Sequence, residues 1–193
     1  MFGPVLRGAL VTLRPPDDSD PPRYVEWFAD MEVTRYLGAD RSAMALFQEE
    51  DFFKTVGESK DDVVWTIEAE GRAIGITGIH GIDWPNSHAV TGTNIGDKTA
   101  WRKGYGSEAM ALRTEYAFRW LNLHKLTSSA LDENGPSKRA LVKAGYREIG
   151  KHREHIYRDG RWHDLWLCEV LRSDWEATHV TGDAGAGTTT PGD

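Results

Sequence analysis

The segment Trp101-Arg102-Lys103-Gly104-Tyr105-Gly106-Ser107-Glu108-Ala109 gathers residue types that can hold an anion. Two glycines let the backbone approach a ligand closely. Arg102 and Lys103 add positive charge, and the residues that follow read as a helix. The first turn of a helix carries unpaired N–H groups and the positive end of the dipole, so a pyrophosphate can sit there and accept those hydrogen bonds. The same composition also serves a plain connection with two solvated basic residues. The spacing is neither the GxxxxGK[ST] of a nucleotide-hydrolysing loop nor the GxGxxG of a dinucleotide fold.

Other chemistry-bearing residues are weaker signals. His152 and His155 are three apart, which in a regular strand puts them on opposite faces and argues against a shared metal. Cys168 sits in the apolar run Leu165-Trp166-Leu167-Cys168 and reads as a packing residue. His163 and Asp164 are neighbours on a strand pattern, so their side chains point apart. No metal site is expected.

The elements that must position these residues follow from periodicity and punctuation. Gly8 to Pro16 reads as an opening strand stopped by Pro15-Pro16. A helix carries Tyr24, Trp27 and Phe28, and a second runs from about Met44 to Val56. Val63–Ala69 and Ala73–Gly81 form a hairpin around Glu70-Gly71, with a bulge expected at Gly78 because Ile79 breaks the parity of Ile74 and Ile76. A strand covers Ala89–Ile95. After the glycine-rich loop comes a helix over Ser107–Trp120, with Ser107 as N-cap and Ala109, Leu112, Tyr116 and Trp120 on one face. Lys125–Leu131 is a strand. Pro136–Ala144 is a helix closed by Gly145. Asp159-Gly160 turns a hairpin between Tyr146–Tyr157 and Arg161–Leu171. The order suggests a mixed α/β sheet with helices on both faces, in one domain over residues 1–177. Residues 178–193, ending GDAGAGTTTPGD, are too poor in apolar residues to pack and are expected to be a disordered tail.

Composition narrows the class. The chain has 193 residues, 39% hydrophobic and 27% charged, with a net charge of −7. No apolar run reaches the ~18 residues of a membrane span, and the first residues lack a signal-peptide pattern. An acidic balance disfavours nucleic acid and suits a cationic partner. A single cysteine excludes an internal disulfide and fits a reducing, cytoplasmic setting.

Gly104-Tyr105-Gly106-Ser107-Glu108-Ala109 resembles the acetyl-CoA pyrophosphate loop of the GNAT N-acetyltransferase superfamily. Asn134-Gly135-Pro136-Ser137, continuing to Lys143-Ala144-Gly145-Tyr146, resembles the same family's N-x-x-S…K-x-G-F element. Tyr157-Arg158-Asp159-Gly160-Arg161-Trp162-His163-Asp164 is similar to the G-x-x-x-D hairpin of the ribosomal-protein and polyamine acetyltransferase branch, and Leu13-Arg14-Pro15 fits that branch too. The resemblance covers about residues 8–176. Two positions depart from it: Trp101 stands where Gln or Arg is common, and Leu141 stands where many members place a tyrosine general acid.

The resemblance implies a splayed, mostly antiparallel sheet of about seven strands. It further implies acetyl transfer from acetyl-CoA to a primary amine by direct attack in a ternary complex. The amine would belong to a small molecule, a polyamine, an antibiotic or a protein N-terminus, and a homodimer is common among similar proteins. The strand near Thr93, Asn94 and Ile95 would part from the strand ending near Asp132, leaving a gap for the pantetheine arm. An amide near Ile95 would face the thioester carbonyl. Coenzyme contacts are expected from Asn94, Ile95, Trp101, Arg102, Lys103, Gly104, Tyr105, Gly106, Ser107, Asn134, Ser137 and Arg139. Asn134 can donate and accept toward the arm, or simply make the turn before Gly135-Pro136. Ser137 can relay a proton to sulfur, or only serve the helix start. Arg139 can reach the 3′-phosphate or lie solvated. Glu133 stands as general base, with Asp83, His80 and Asp164 as rivals. A non-catalytic acyl-CoA-binding sensor would keep the loop and lack a competent base.

Overall fold

The computed structural model describes residues 1–37 and 43–179. Its strands are β1 (Leu6–Arg7), β2 (Thr12–Arg14), β3 (Val63–Ala69), β4 (Arg72–Asp83), β5 (His88–Ile95), β6 (Lys125–Leu131), β7 (Arg147–Arg158) and β8 (Arg161–Leu171). The helices among the described residues are α1 (Asp20–Ala29), α2 (Leu46–Glu58), α3 (Tyr105–Arg119), α4 (Gly135–Lys143) and α5 (Arg172–His179). All eight strands join one sheet in the order β1-β2-β3-β4-β5-β6-β8-β7. Every neighbouring pair is antiparallel except β5 and β6. A parallel pair needs a crossover, and here the crossover is the glycine-rich loop and α3.

The sheet has eight strands rather than about seven because the opening segment is itself a hairpin. Gly8 N–H donates to Val11 O at 2.8 Å, and Leu6 pairs with Leu13. Adjacent residues of β3 show that helices cover both faces. Trp65 meets Tyr116 of α3 edge-on, while Thr66 hydrogen-bonds Tyr24 of α1 at 2.7 Å. Side chains alternate across a strand, so α1 and α3 lie on opposite sides.

Four expectations need correction. Gly78 pairs regularly with Val64 and Gly92. The bulge is at Ile74, the residue skipped where Ile67 pairs with Gly75 and Glu68 with Ala73, and it alone brings Ile74 and Ile79 into the same core. Helix α3 starts at Tyr105, with Gly104 as its N-cap. Ser107 is therefore the third residue of the helix rather than its cap. The buried stripe of α3 runs through Ala109, Met110, Arg113, Ala117 and Phe118, leaving Trp120 exposed. Finally, α5 takes in Thr178 and His179, where composition predicts the start of the tail. Residues 180–193 lie outside the described residues.

Candidate active site

The loop before α3 turns through two left-handed residues, Arg102 (φ 63°) and Gly104 (φ 89°). Left-handed backbone is cheap for glycine and costs other residues about 1–2 kcal/mol. As N-cap, Gly104 supplies no side-chain acceptor. The amides of Tyr105, Gly106 and Ser107, the first three residues of α3, are therefore left uncapped by any side chain among the described residues, at the positive end of a 15-residue helix. Arg102 and Lys103 are exposed on the loop. Lys103 pairs with Glu70 at 3.3 Å, and Tyr105 donates its hydroxyl to the same carboxylate at 2.7 Å. These contacts hold Glu70 below the usual carboxylate range. The ring of Trp101 folds back onto β5, donating to Ile95 O at 2.8 Å. Glu108 faces the other way and accepts from the amides of Ala9, Leu10 and Val11 at 3.0, 2.7 and 2.7 Å.

Strands β5 and β6 pair at His88–Lys125, Ala89–Leu126 and Val90–Thr127, and then part. At the parting point side chains replace the ladder. Ser128 Oγ donates to Thr91 O at 2.9 Å, and Thr91 Oγ1 donates to Thr127 O at 3.1 Å. Beyond it, Gly92 to Ile95 have no ladder partner on β6 among the described residues, and Ile95 lies beside Gly106 in the first turn of α3. The buried Nδ2 of Asn94 has no hydrogen-bond partner among the described residues.

A buried charged network lies at the break in the ladder. Arg113 has no exposed surface. Its Nη1 donates to Thr77 Oγ1, Gly92 O and Thr93 Oγ1 at 2.9, 2.7 and 2.7 Å. Its Nη2 donates to the hydroxyl of Tyr146 at 3.4 Å, and that hydroxyl lies 3.0 Å from Thr91 Oγ1.

At the far end of β6 stands a second polar centre, which has no signature in the sequence. Glu133 contacts Nδ1 of His163 through a very short hydrogen bond, and Nε2 of His163 lies 3.1 Å from Arg158 O. A carbonyl only accepts, so Nε2 carries a hydrogen. Arg161 approaches Glu133 at 3.5 Å. Glu133 and His163 line a pocket of about 170 Å³ with Tyr36, Leu131 and Arg158. The β6–β8 register, in which Leu131 faces Leu165, brings together residues 30 apart in sequence.

The rival bases are engaged elsewhere. Asp83 accepts from the amide and side chain of Asn86 at 3.0 and 2.8 Å, shaping the β4–β5 turn. His80 lies 3.3 Å from Asp62, and burial lowers its pKa. Asp164 accepts the Glu154 amide at 2.9 Å. It points away from His163, in line with strand alternation. Asn134 caps α4, accepting from the Ser137 amide at 3.2 Å, and Arg139 follows two residues after Ser137 on that helix. The rings of His152 and His155 lie 4.9 Å apart, side by side. The expectation of opposite faces fails because a register shift between His152 and Ile156 breaks the alternation. No group of three metal-ligating residues occurs among the described residues.

This geometry has relatives. Residues 11–147 match the Acetyltransferase (GNAT) domain family. The chain is 28% identical over 176 residues to the uncharacterized N-acetyltransferase YoaA of Bacillus subtilis, covering 88% of this chain and 97% of that one. It is 26% identical to the uncharacterized N-acetyltransferase p20 of Bacillus licheniformis over 86% of this chain and 94% of that one. The fold matches a Vibrio cholerae spermidine N-acetyltransferase, solved with CoA and spermine, at a TM-score of 0.80 and 19% identity, over 87% of this chain and 99% of that one. No helix among the described residues is long and apolar enough to cross a membrane. A parted parallel strand pair that leads to a glycine-capped helix thus lies within a chain that matches acetyltransferases along almost its whole length, and the protein is an N-acetyltransferase of the GNAT family.

Proposed function

We propose that the chain transfers acetyl from acetyl-CoA to a primary amine by direct attack in a ternary complex. The observation that carries this reading is the break in the β5–β6 ladder after Val90 and Thr127, which opens onto the side-chain-free cap of α3. The amides of Tyr105, Gly106 and Ser107, with Gly104 allowing close approach, hold the pyrophosphate. Arg102 and Lys103 supply charge beside it, and Arg139 faces the 3′-phosphate end. Trp101 fixes the carbonyl of Ile95 and so the edge along which the pantetheine arm runs. Asn94, Ile95 and Asn134 bind that arm, and Ser137 stands at its inner end.

The amine enters between α1, α2 and the β7–β8 hairpin, and Glu133 takes its proton. His163 holds the carboxylate in place. The acceptor is a small amine, a polyamine, an antibiotic amine or a protein N-terminus; the net charge of −7 favours a cation. The lone buried cysteine supports work in the reducing cytoplasm. The experiment is thiol release from acetyl-CoA across an amine panel. Amine-dependent release is expected. Coenzyme binding without it would make the protein a sensor, and no binding would refute the reading.

A further inference from the structure

Arg113 poses a physical problem. A guanidinium with no exposed surface is costly unless an anion compensates it, yet among the described residues its hydrogen-bond partners are all neutral: three hydroxyls and one carbonyl. Its Nε has no partner at all among them. The charge also sits at a defined place. It is held at Gly92 and Thr93, just past the point where β5 leaves β6.

The hydrogens along the network have one consistent direction. Arg113 only donates, so the Tyr146 oxygen accepts from it. Thr91 spends its single hydrogen on Thr127 O, so its oxygen must accept from Tyr146. The chain therefore runs Arg113 Nη2–H to Tyr146 O–H to Thr91 O–H to Thr127 O, and ends between the two strands at the break in the ladder. Tyr146 reaches this place from the end of α4, where its amide donates to Leu141 O at 3.0 Å. Leu141 itself is buried and has no proton to give.

Resting on the assignment of the parted β5–β6 pair to the pantetheine arm, we propose that Thr91 and Tyr146 deliver a proton to the sulfur that leaves from acetyl-CoA, with Arg113 as the counter-charge. Collapse of the tetrahedral adduct breaks the C–S bond and leaves the electron pair on sulfur. The Thr91 hydrogen turns from Thr127 O to the sulfur and makes the thiol. The Tyr146 hydrogen replaces it on Thr91. The negative charge now rests on the Tyr146 oxygen against Arg113, so the guanidinium meets its anion only during turnover. The proton lost by the amine returns to Tyr146 through solvent as product leaves. Thr91 is the catalytic residue in this scheme; Tyr146 and Arg113 act through it.

The variants Thr91→Val, Tyr146→Phe and the double change test this, with Ser137→Ala as the rival donor. Each relay variant keeps side-chain shape, and thermal melts check the fold. Steady-state rates and calorimetric CoA affinity are the readouts. We expect kcat to fall by about 10²-fold in each single variant of the relay, the lower end for proton donation. KM for acetyl-CoA and the CoA Kd should stay within about threefold, and the double variant should be no slower than the worse single one, as for groups acting as a unit. Near-wild-type kcat in Tyr146→Phe, multiplying losses, a parallel loss of coenzyme affinity, or a large effect confined to Ser137→Ala would each overturn the relay. Wild-type protein that binds no CoA would instead refute the reading beneath it.

Discussion

Asp20, which has no exposed surface, is gripped through both carboxylate oxygens by the guanidinium of Arg14 at 2.8 and 2.9 Å. The Thr66 hydroxyl adds a third hydrogen bond at 2.7 Å. The Arg14-Pro15 pair thus has a structural role, locking the start of α1 onto β2 and β3 under the side of the sheet where the acceptor is proposed to enter. Breaking a buried pair from one side costs about 3–5 kcal/mol. Asp20→Asn is expected to lower the melting temperature by about 10 °C, read by calorimetry. Removing both partners for apolar residues of similar size should cost less.

Gly104 adopts a left-handed conformation with room for a side chain, the nearest atom to an added Cβ being Leu10 Cδ1 at 3.5 Å. Gly104→Ala therefore tests backbone shape rather than space. We expect about tenfold weaker CoA binding, equivalent to about 1.4 kcal/mol, with the fold intact by circular dichroism. Gly106 lies inside α3 with no positive φ, so Gly106→Ala probes close approach alone.

Glu133→Gln should lower kcat about 10²-fold while sparing CoA affinity. His163→Gln keeps a side chain that can hydrogen-bond Glu133, and should give a smaller loss. Rate measurements over about pH 6–9 on both variants, spanning the range where a base and an amine titrate, check the order.

Glu49 of α2 is almost fully buried, its Oε1 has no partner among the described residues, and burial raises its pKa from 4.5 to about 7. A carboxyl that holds its proton more tightly when folded makes the native state bind more protons than the unfolded one between those values. Stability should therefore fall as pH rises from about 4.5 to 7 and stay lowered above that, by up to about 3 kcal/mol. Glu49→Gln is expected to be more stable than wild type at about pH 8 and nearly equal to it at about pH 4, in urea melts.

Burial pushes the Cys168 thiol up to about 12. Native protein should resist alkylation at about pH 8 and react only on unfolding, and Cys168→Ala should keep full turnover. Mass spectrometry after timed iodoacetamide exposure reads the first outcome.

Legibility in the sequence follows locality. The Glu70-Gly71 and Asp159-Gly160 turns announce themselves because both positions of each need positive φ, and the strands around them follow. The start of α3 reads two residues late because a serine inside the first turn looks like a cap, while the real cap is a glycine whose role depends on φ. Parity arguments fail wherever a bulge intervenes, at Ile74 and between His152 and Ile156. The Glu133–His163 contact and the Arg113 network have no local signature. They exist only because β8 lies beside β6 and because α3 crosses β4 and β5, and such register is set by the packing of the whole sheet.

The three amides of Ala9, Leu10 and Val11 that close on Glu108 tie the first hairpin to the opening turn of α3. The proposed seat for the diphosphate is therefore completed by a segment made long before it during synthesis. A truncation through residue 11, or a charge-reversing change at Glu108, would release that helix start without touching a single residue of the glycine loop, and ligand affinity would register damage done far upstream.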